Sequence, residues 1–148
     1  MKITRSIAIA SFFILLLVPG VFAETTVTSI TANPGNFNSI LNESTTITVQ
    51  ATSGVLGLEV RVLLPDRITV VRSGLALAET TPGTYTTTWD GRNDGNAGVV
   101  AGTYAIRVFN PGTTTFIGPW GEVAVAGLSV SPSTFTPTGT NAATVTVQ

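Results

Sequence analysis

Residues 83–108, GTYTTTWDGRNDGNAGVVAGTYAIRV, decide the fold of this 148-residue chain. Two runs within them, 84–89 and 103–108, alternate threonine and other polar or small residues with aromatic and branched apolar ones, which is typical of β-strands. The segment between the runs is rich in Gly, Asn and Asp, which turns favour for backbone freedom and side-chain hydrogen bonds. The sequence therefore predicts two strands joined as one long β-hairpin.

The same stretch carries a pattern of aromatic, acidic and small residues at fixed spacing. The pattern consists of Trp89-Asp90-Gly91, Gly95, Gly98, Val99-Val100 and Gly102-Thr103-Tyr104. It resembles the Ig-like domain of the flagellar hook-capping protein FlgD. The resemblance implies a non-catalytic β-sandwich module, found in the hook cap and in many secreted or surface prokaryotic proteins. It also implies structural roles for Trp89, Asp90, Gly91, Gly102 and Tyr104.

The first 23 residues have the organisation of a secretory signal peptide. Lys2 and Arg5 supply the positive start, residues 7–18 form an apolar run, and Val21-Phe22-Ala23 is a cleavage signal of the A-x-A kind. The apolar run is shorter than the roughly 17–25 residues that a membrane span requires. We therefore expect cleavage after Ala23, no stable membrane span after cleavage, and a secreted, extracellular or cell-surface protein.

The charges of residues 24–148 restrict the possible functions. Five arginines stand against eight carboxylates, a net charge of −3, and this part of the chain has no Lys, His or Cys. A chain without a basic cluster lacks the electrostatic attraction that phosphate backbones select, so we expect no nucleic-acid partner. The usual general base and the commonest nitrogen and sulfur metal ligands are missing. The sequence therefore predicts a protein that is not an enzyme and carries no cofactor.

An internal repeat divides the chain after the signal peptide. Residues 30–50 align with residues 128–148 at an offset of 98, with identities at Pro34/Pro132, Phe37/Phe135 and four positions of the segments 46–50 and 144–148. A period near 98 is the size of one Ig-like sandwich. We therefore predict an Ig-like β-sandwich over 24–126 and an incomplete second repeat, comprising only its first strands, over 127–148.

The apolar pattern predicts an all-β antiparallel sandwich with no helix outside the signal peptide. The predicted strands cover 28–32, 44–51, 58–64, 68–72, 75–79, 84–89, 103–108, 114–117 and 122–126. Alternation places Leu64 on the core face and Leu63 on the opposite face. Trp89 and Tyr104 are expected to face each other as an aromatic anchor. The core is predicted to contain Phe37, Ile47, Val49, Leu58, Val60, Val62, Tyr85, Trp89, Tyr104, Ile106 and Val108.

One cluster of oxygen-bearing side chains is a candidate metal site. Asp90, Asp94 and Asn96 have spacings that resemble a calcium-binding loop. Arg92 stands where a further ligand would help, and no acidic residue closes the loop at the expected distance. Asp, Asn and Gly are also the residues that turns favour. A turn without metal is therefore the expectation, with calcium as the alternative.

Three functions remain open from the sequence. The first is a non-catalytic extracellular module of a tandem-repeat protein, acting as a spacer, stalk or adhesion unit, with other Ig-like repeats or surface proteins as partners. The second is an accessory domain of a secreted hydrolase whose catalytic part lies elsewhere. The third is a filament subunit that assembles by strand exchange.

Overall fold

The computed structural model describes residues 24–131 and 144–147, so the predicted signal peptide and much of the predicted second repeat lie outside the described residues. The described residues form eleven strands: β1 Val27–Asn33, β2 Asn36–Phe37, β3 Thr45–Ala51, β4 Glu59–Leu63, β5 Val70–Ala76, β6 Ala78–Thr81, β7 Thr84–Trp89, β8 Gly102–Asn110, β9 Thr115–Val125, β10 Leu128–Ser131 and β11 Thr144–Val147. A 3-10 turn, Ser39–Leu41, follows β2. The predicted all-β class is confirmed.

Two sheets form the sandwich. The four-stranded sheet has the order β1-β3-β7-β6, and the five-stranded sheet has the order β2-β9-β8-β4-β5. All neighbours are antiparallel except β2 and β9, which are parallel. With β2 and β5 set aside, this is the immunoglobulin order, ABED in one sheet and CFG in the other.

The predicted hairpin between β7 and β8 is wrong. β7 pairs with β3 and β6, whereas β8 pairs with β4 and β9 in the other sheet. Residues 90–101 therefore cross from one sheet to the other, and we call them the crossover loop. The alternation correctly places an apolar face on each strand, but it does not specify the partner strand. The two apolar faces are buried against each other across the sandwich.

Several strand limits also differ from the prediction; the predicted break at residues 73–74, for example, lies inside β5. Leu63 ends β4 on the predicted outer face, because it pairs with Ala105 in unbroken register with the Arg61–Arg107 pair, but it is fully buried there. Leu64, which was expected on the core face, lies beyond the end of β4 and is 36% exposed. The predicted strands 114–117 and 122–126 are the two ends of β9, whose pairing with β8 shifts register between Ile106 and Val108.

The chain leaves the four-stranded sheet at Pro34 and continues in the five-stranded sheet. Pro34 has no N–H with which to continue the ladder of the four-stranded sheet. Its carbonyl accepts a hydrogen bond from the buried Thr45 hydroxyl at 2.7 Å. The chain then pairs as β2 with β9, where the Ala126 N–H donates to the Phe37 carbonyl at 2.8 Å. The segment from β1 to β2 thus contributes one strand to each sheet and connects the two sheets at one side.

The two sheets approach closely where β9 passes β1. A Cβ atom on Gly121 would lie 2.7 Å from Ile30 Cγ2, which is too close for any larger residue without movement of the neighbour. Glycine at this position permits the close backbone approach that closes this side of the sandwich.

The core contains all eleven residues predicted for it. Trp89 is its largest member and is fully buried. Its ring packs edge to face on Phe37 and Tyr104, with centroid distances of 5.7 and 5.4 Å. Its indole N–H donates to the Arg92 carbonyl at 2.9 Å, so its polar atom is satisfied. This ring connects β7 to β2, to β8 and to the crossover loop.

β10 and β11 form a separate antiparallel pair whose register repeats that of β1 and β3. Leu128 pairs with Val147, and Ile30 pairs with Val49, which is the same pairing at an offset of 98. All four pairs of β10–β11 obey this rule: Leu128–Val147, Ser129–Thr146, Val130–Val145 and Ser131–Thr144 correspond to Ile30–Val49, Thr31–Thr48, Ala32–Ile47 and Asn33–Thr46. The repeat in sequence is therefore also a repeat in strand register.

We predict that Trp89→Ala lowers the free energy of unfolding by about 3–5 kcal/mol, the range for large aromatic truncations in cores. Trp120→Ala is the matched control, because Trp120 is half-buried on an outer face and should cost only about 1–2 kcal/mol through lost arginine stacking. Urea denaturation followed by circular dichroism measures both. Equal losses in the two variants would contradict the central role of Trp89.

Candidate functional site

The crossover loop is anchored at its end by Tyr104. The Tyr104 hydroxyl donates to the carbonyl of Val100, four residues upstream, at 2.6 Å. This is the tyrosine-corner arrangement of immunoglobulin-like sandwiches, in which a tyrosine near the start of strand F bonds back to the preceding backbone. Burial raises the pKa of the Tyr104 hydroxyl, so it stays protonated and able to donate. Gly102 opens β8 opposite Val125.

The crossover loop is fixed at its beginning by Gly91. This residue has φ +73°, and a Cβ atom on it would lie 2.6 Å from Ser39 Cβ and 3.2 Å from Phe37 Cε2. Its carbonyl accepts a hydrogen bond from the Val99 N–H at 2.9 Å. Only glycine combines this backbone conformation with so close an approach to the 3-10 turn. Gly91 therefore has a structural role in positioning the loop.

Asp94 fastens the middle of the loop to β5. Its two carboxylate oxygens accept from the Ser73 backbone N–H at 2.8 Å and from the Ser73 hydroxyl at 2.7 Å. The Asp94 N–H donates to the Val71 carbonyl at 3.1 Å. The hydrogen bonds from Ser73, with smaller contributions from the charges of Arg72 and Arg61, lower the pKa of Asp94.

Asp90 and Asn96 serve the turn geometry of the same loop. Asp90 accepts from the Arg92 N–H at 3.1 Å and pairs with the Arg92 guanidinium at 3.5 Å. Asn96 adopts φ +61°, a conformation that asparagine tolerates, and its carbonyl accepts from the Arg92 side chain at 3.0 Å. The oxygens of Asp90 and Asp94 thus engage different partners. Within residues 24–131 and 144–147, no three carboxylates converge on a common point that could hold a metal.

A second feature lies on the outer face of the five-stranded sheet. Guanidinium groups and aromatic rings alternate there, and we call this surface the arginine–aromatic face; it consists of Arg61, Arg67, Arg107, Phe109, Phe116 and Trp120. The Arg61 guanidinium carbon lies 3.3 Å from the Phe109 ring centre, and that of Arg107 lies 4.6 Å from the ring centre of Trp120. Such stacking stabilises a cation by its attraction to the ring quadrupole. No pattern in the sequence predicted this face.

The charges of the arginine–aromatic face are unequally paired. Arg61 pairs with Glu59 at 2.8 Å, and Arg67 pairs with Glu122 at 3.4 Å. Arg107 makes no ion pair with any carboxylate of the described residues, and its buried Nε atom has no hydrogen-bond partner among them. Its contacts are the rings of Phe116, 5.7 Å away, and Trp120. The centre of the face is therefore a cation without a counter-ion.

The outer face of the four-stranded sheet differs completely. Its strands bury Ile47, Val49, Tyr85 and Trp89, so the alternate residues point outward. The outward residues of its first three strands are uncharged and mostly carry hydroxyl groups: Ser29, Thr31, Asn33, Thr46, Thr48, Gln50, Thr84, Thr86 and Thr88. The sandwich therefore presents two chemically distinct faces.

Neither the family models, the curated proteins nor the solved structures with which the chain was compared give a match. The resemblance of residues 89–104 to the FlgD Ig-like domain accordingly stays a prediction. In the part of the chain that the structure describes, no helix has the length and apolarity needed to cross a membrane.

We predict that Gly91→Ala destabilises the fold more than Gly54→Ala. Both glycines have a positive φ, +73° and +75°, but an added Cβ at Gly54 meets nothing within 4 Å. The Gly54 variant should therefore lose only about 1–2 kcal/mol from backbone strain, and the Gly91 variant a further 1–3 kcal/mol, approximately, from overpacking. Thermal and urea unfolding of the two variants measure this difference. Equal losses would show that the contact with Ser39 relaxes freely.

We predict that Asp94 stabilises the fold through Ser73 and without metal. Its pKa is lowered on folding, so its contribution is complete above the unfolded-state pKa and is lost as the pH falls through the folded-state pKa. Asp94→Asn should therefore melt below the parent at pH 7, in EDTA and in millimolar calcium alike, and the gap should close on acidification.

Calcium binding would contradict this prediction. A bound ion at a hundredfold excess over its Kd would stabilise the parent by about 2.7 kcal/mol. A calcium-dependent rise in Tm that disappears in Asp90→Ala or Asp94→Asn would make this loop a metal site.

Proposed function

We propose that the chain is a non-catalytic, immunoglobulin-like module of a secreted or cell-surface protein built from repeated sandwiches. In this role it acts as a spacer, stalk or adhesion unit, and its partners are neighbouring repeats or other surface proteins. The main support for this proposal is the pairing of β10 with β11. Each of its four residue pairs corresponds to a residue pair of β1 with β3, at an offset of 98.

The repeat supports an array because its period equals the length of one complete unit. The two sheets of the first sandwich end with β9 at Val125, and β10 begins at Leu128. Two residues, Ala126 and Gly127, therefore separate one unit from the strands that restart the pattern. A chain that restarts its first strand pair immediately after its last strand is typical of tandem modules.

The carboxylates of the sandwich support a non-catalytic role. Asp66 accepts hydrogen bonds from the N–H groups of Ile68 and Thr69, and Glu79 accepts from those of Gly83 and Gly54. These bonds lower the pKa values of Asp66 and Glu79, as the bonds from Ser73 do for Asp94. A general acid or base needs a pKa near the working pH. These three groups are instead hydrogen-bond acceptors that stay ionised at neutral pH and stabilise loops.

The immunoglobulin strand order and the resemblance of residues 89–104 to the FlgD Ig-like domain favour the same kind of module. That family occurs in secreted and surface proteins, which agrees with the signal-peptide pattern of residues 1–23. The proposed location is therefore extracellular.

A hybrid chain tests the repeat. Gln148 corresponds to Gln50, so residues 51–126 appended directly after Gln148 would supply every strand that follows β3 in the first sandwich. We predict that residues 128–148 and the appended segment fold as a second sandwich. Calorimetry should then show close to twice the unfolding enthalpy of the chain itself, since this enthalpy scales with the number of folded residues.

The matched control inserts one residue between Val145 and Thr146, inside β11 of the hybrid. The insertion breaks the two-residue period of the strand, so the positions of Val145 and Val147 no longer share one side of the sheet. We expect this variant to lose the added unfolding enthalpy and keep that of the first sandwich. If the hybrid without the insertion also shows only the enthalpy of one sandwich, residues 127–148 are not the opening of a sandwich.

A further inference from the structure

The arginine–aromatic face holds two like charges opposite each other. Arg61 of β4 and Arg107 of β8 are direct cross-strand partners, and their side chains share the outer face. Like charges placed directly opposite each other on one face of a sheet are destabilising. Glu59 offsets the charge of Arg61, but Arg107 has no such carboxylate among the described residues. A negative group placed at Arg107 would relieve this repulsion.

The guanidinium of Arg107 is positioned to bind a negative group. Arg107 is half-buried, and its guanidinium carbon lies 5.7 Å from the ring centre of Phe116 and 4.6 Å from that of Trp120, contacts that favour one orientation of the planar group. A guanidinium whose plane is held in place loses less freedom when its N–H groups bind a carboxylate in a two-pronged manner. The stacked rings therefore orient the cation as well as stabilise it.

The composition of the face favours a ligand that combines apolar surface with a negative group. Glu59 and Glu122 are engaged by Arg61 and Arg67, so Arg107 is the cation of this face without a carboxylate partner among the described residues. The partly exposed rings of Phe116 and Trp120 provide apolar surface beside the free cation. A sugar ring that carries a carboxylate matches both features, because its apolar C–H face can pack on the aromatic rings and its carboxylate can pair with Arg107.

We propose that the arginine–aromatic face binds a carboxylated polysaccharide, with Arg107 pairing with a uronate carboxylate and Trp120 and Phe116 packing on the sugar rings. Nucleic acid is disfavoured because binding a phosphate backbone takes several cations, whereas Arg61 and Arg67 are already paired with carboxylates and leave Arg107 as the unpaired cation of this face among the described residues. The proposal rests on the extracellular location in the proposed function, because such polymers are outside the cell.

Titration with polygalacturonate tests the proposal. The full chain should bind this polymer and should not bind the same polymer after reduction of its carboxyl groups. Binding should weaken between 50 and 500 mM NaCl, approximately, because salt screens exposed charges. Arg107→Gln should weaken binding at least about tenfold, the factor that corresponds to roughly 1.4 kcal/mol. Equal binding of the reduced polymer would overturn the proposal.

The matched control is Arg92→Gln. Arg92 belongs to the crossover loop, where its side chain contacts Asp90 and Asn96 and does not stack on any ring of the arginine–aromatic face, and its loss changes the net charge by the same amount. Its affinity should stay within about twofold of the parent, since long-range attraction alone contributes little at moderate salt. Equal weakening by both substitutions would reduce the binding to non-specific attraction and overturn the assignment.

A second variant of Arg107 and a second polymer complete the test. If circular dichroism shows that Arg107→Gln is unfolded, Arg107→Lys replaces it; lysine keeps the charge but loses the planar fork, so affinity should still fall. Full affinity in that variant would overturn the role of the guanidinium. Polyglutamate that binds as tightly, with the same dependence on Arg107, would identify an acidic peptide as the ligand instead. The hybrid-chain experiment does not involve Arg107, so its failure is distinguishable from failure here.

Discussion

The fold depends on the burial of one indole ring between the two sheets. Trp89 belongs to the four-stranded sheet, yet its neighbours Phe37 and Tyr104 belong to the five-stranded sheet. Its N–H group also holds the carbonyl of Arg92 in the crossover loop. The chain has no disulfide that could perform this task, because it contains no cysteine. Packing around this ring therefore sets the position of the sheets and of the loop that joins them.

Local alternation was sufficient to predict the core but not the pairing. Residues such as Val60 and Ile106 were predicted to be buried because every second position of their strands is apolar, and both are fully buried. The predicted hairpin failed because strand partners depend on contacts that are distant in sequence, and alternation contains no information about them. The turn at 90–96 was predictable from its composition, whereas the attachment of Asp94 to Ser73 required the sheet to be assembled.

The arginine–aromatic face was invisible from the sequence for a related reason. Arg107 and Phe116 are on neighbouring strands, and Arg61 and Trp120 come from strands on either side of β8. Their alternation appears only after three strands are placed in register, including the irregularity between Ile106 and Val108. In the sequence each arginine resembles an ordinary solvated charge. On the outer face of the four-stranded sheet the threonines of β3 and β7 alternate regularly, because the pairing of these two strands has no register shift.

The parallel pairing of β2 with β9 has a mechanical consequence. In a chain of such modules under tension, each sandwich is pulled from its first strands and from its last one. Because β2 and β9 run in the same direction, pulling β2 backward and β9 forward slides the two strands along each other. The bonds from Ala124 to Gly35 and from Ala126 to Phe37 then share the load and must break together, not one after another as in an opening zipper. Under such tension, the β2–β9 pair is therefore a part of the sandwich that resists shear.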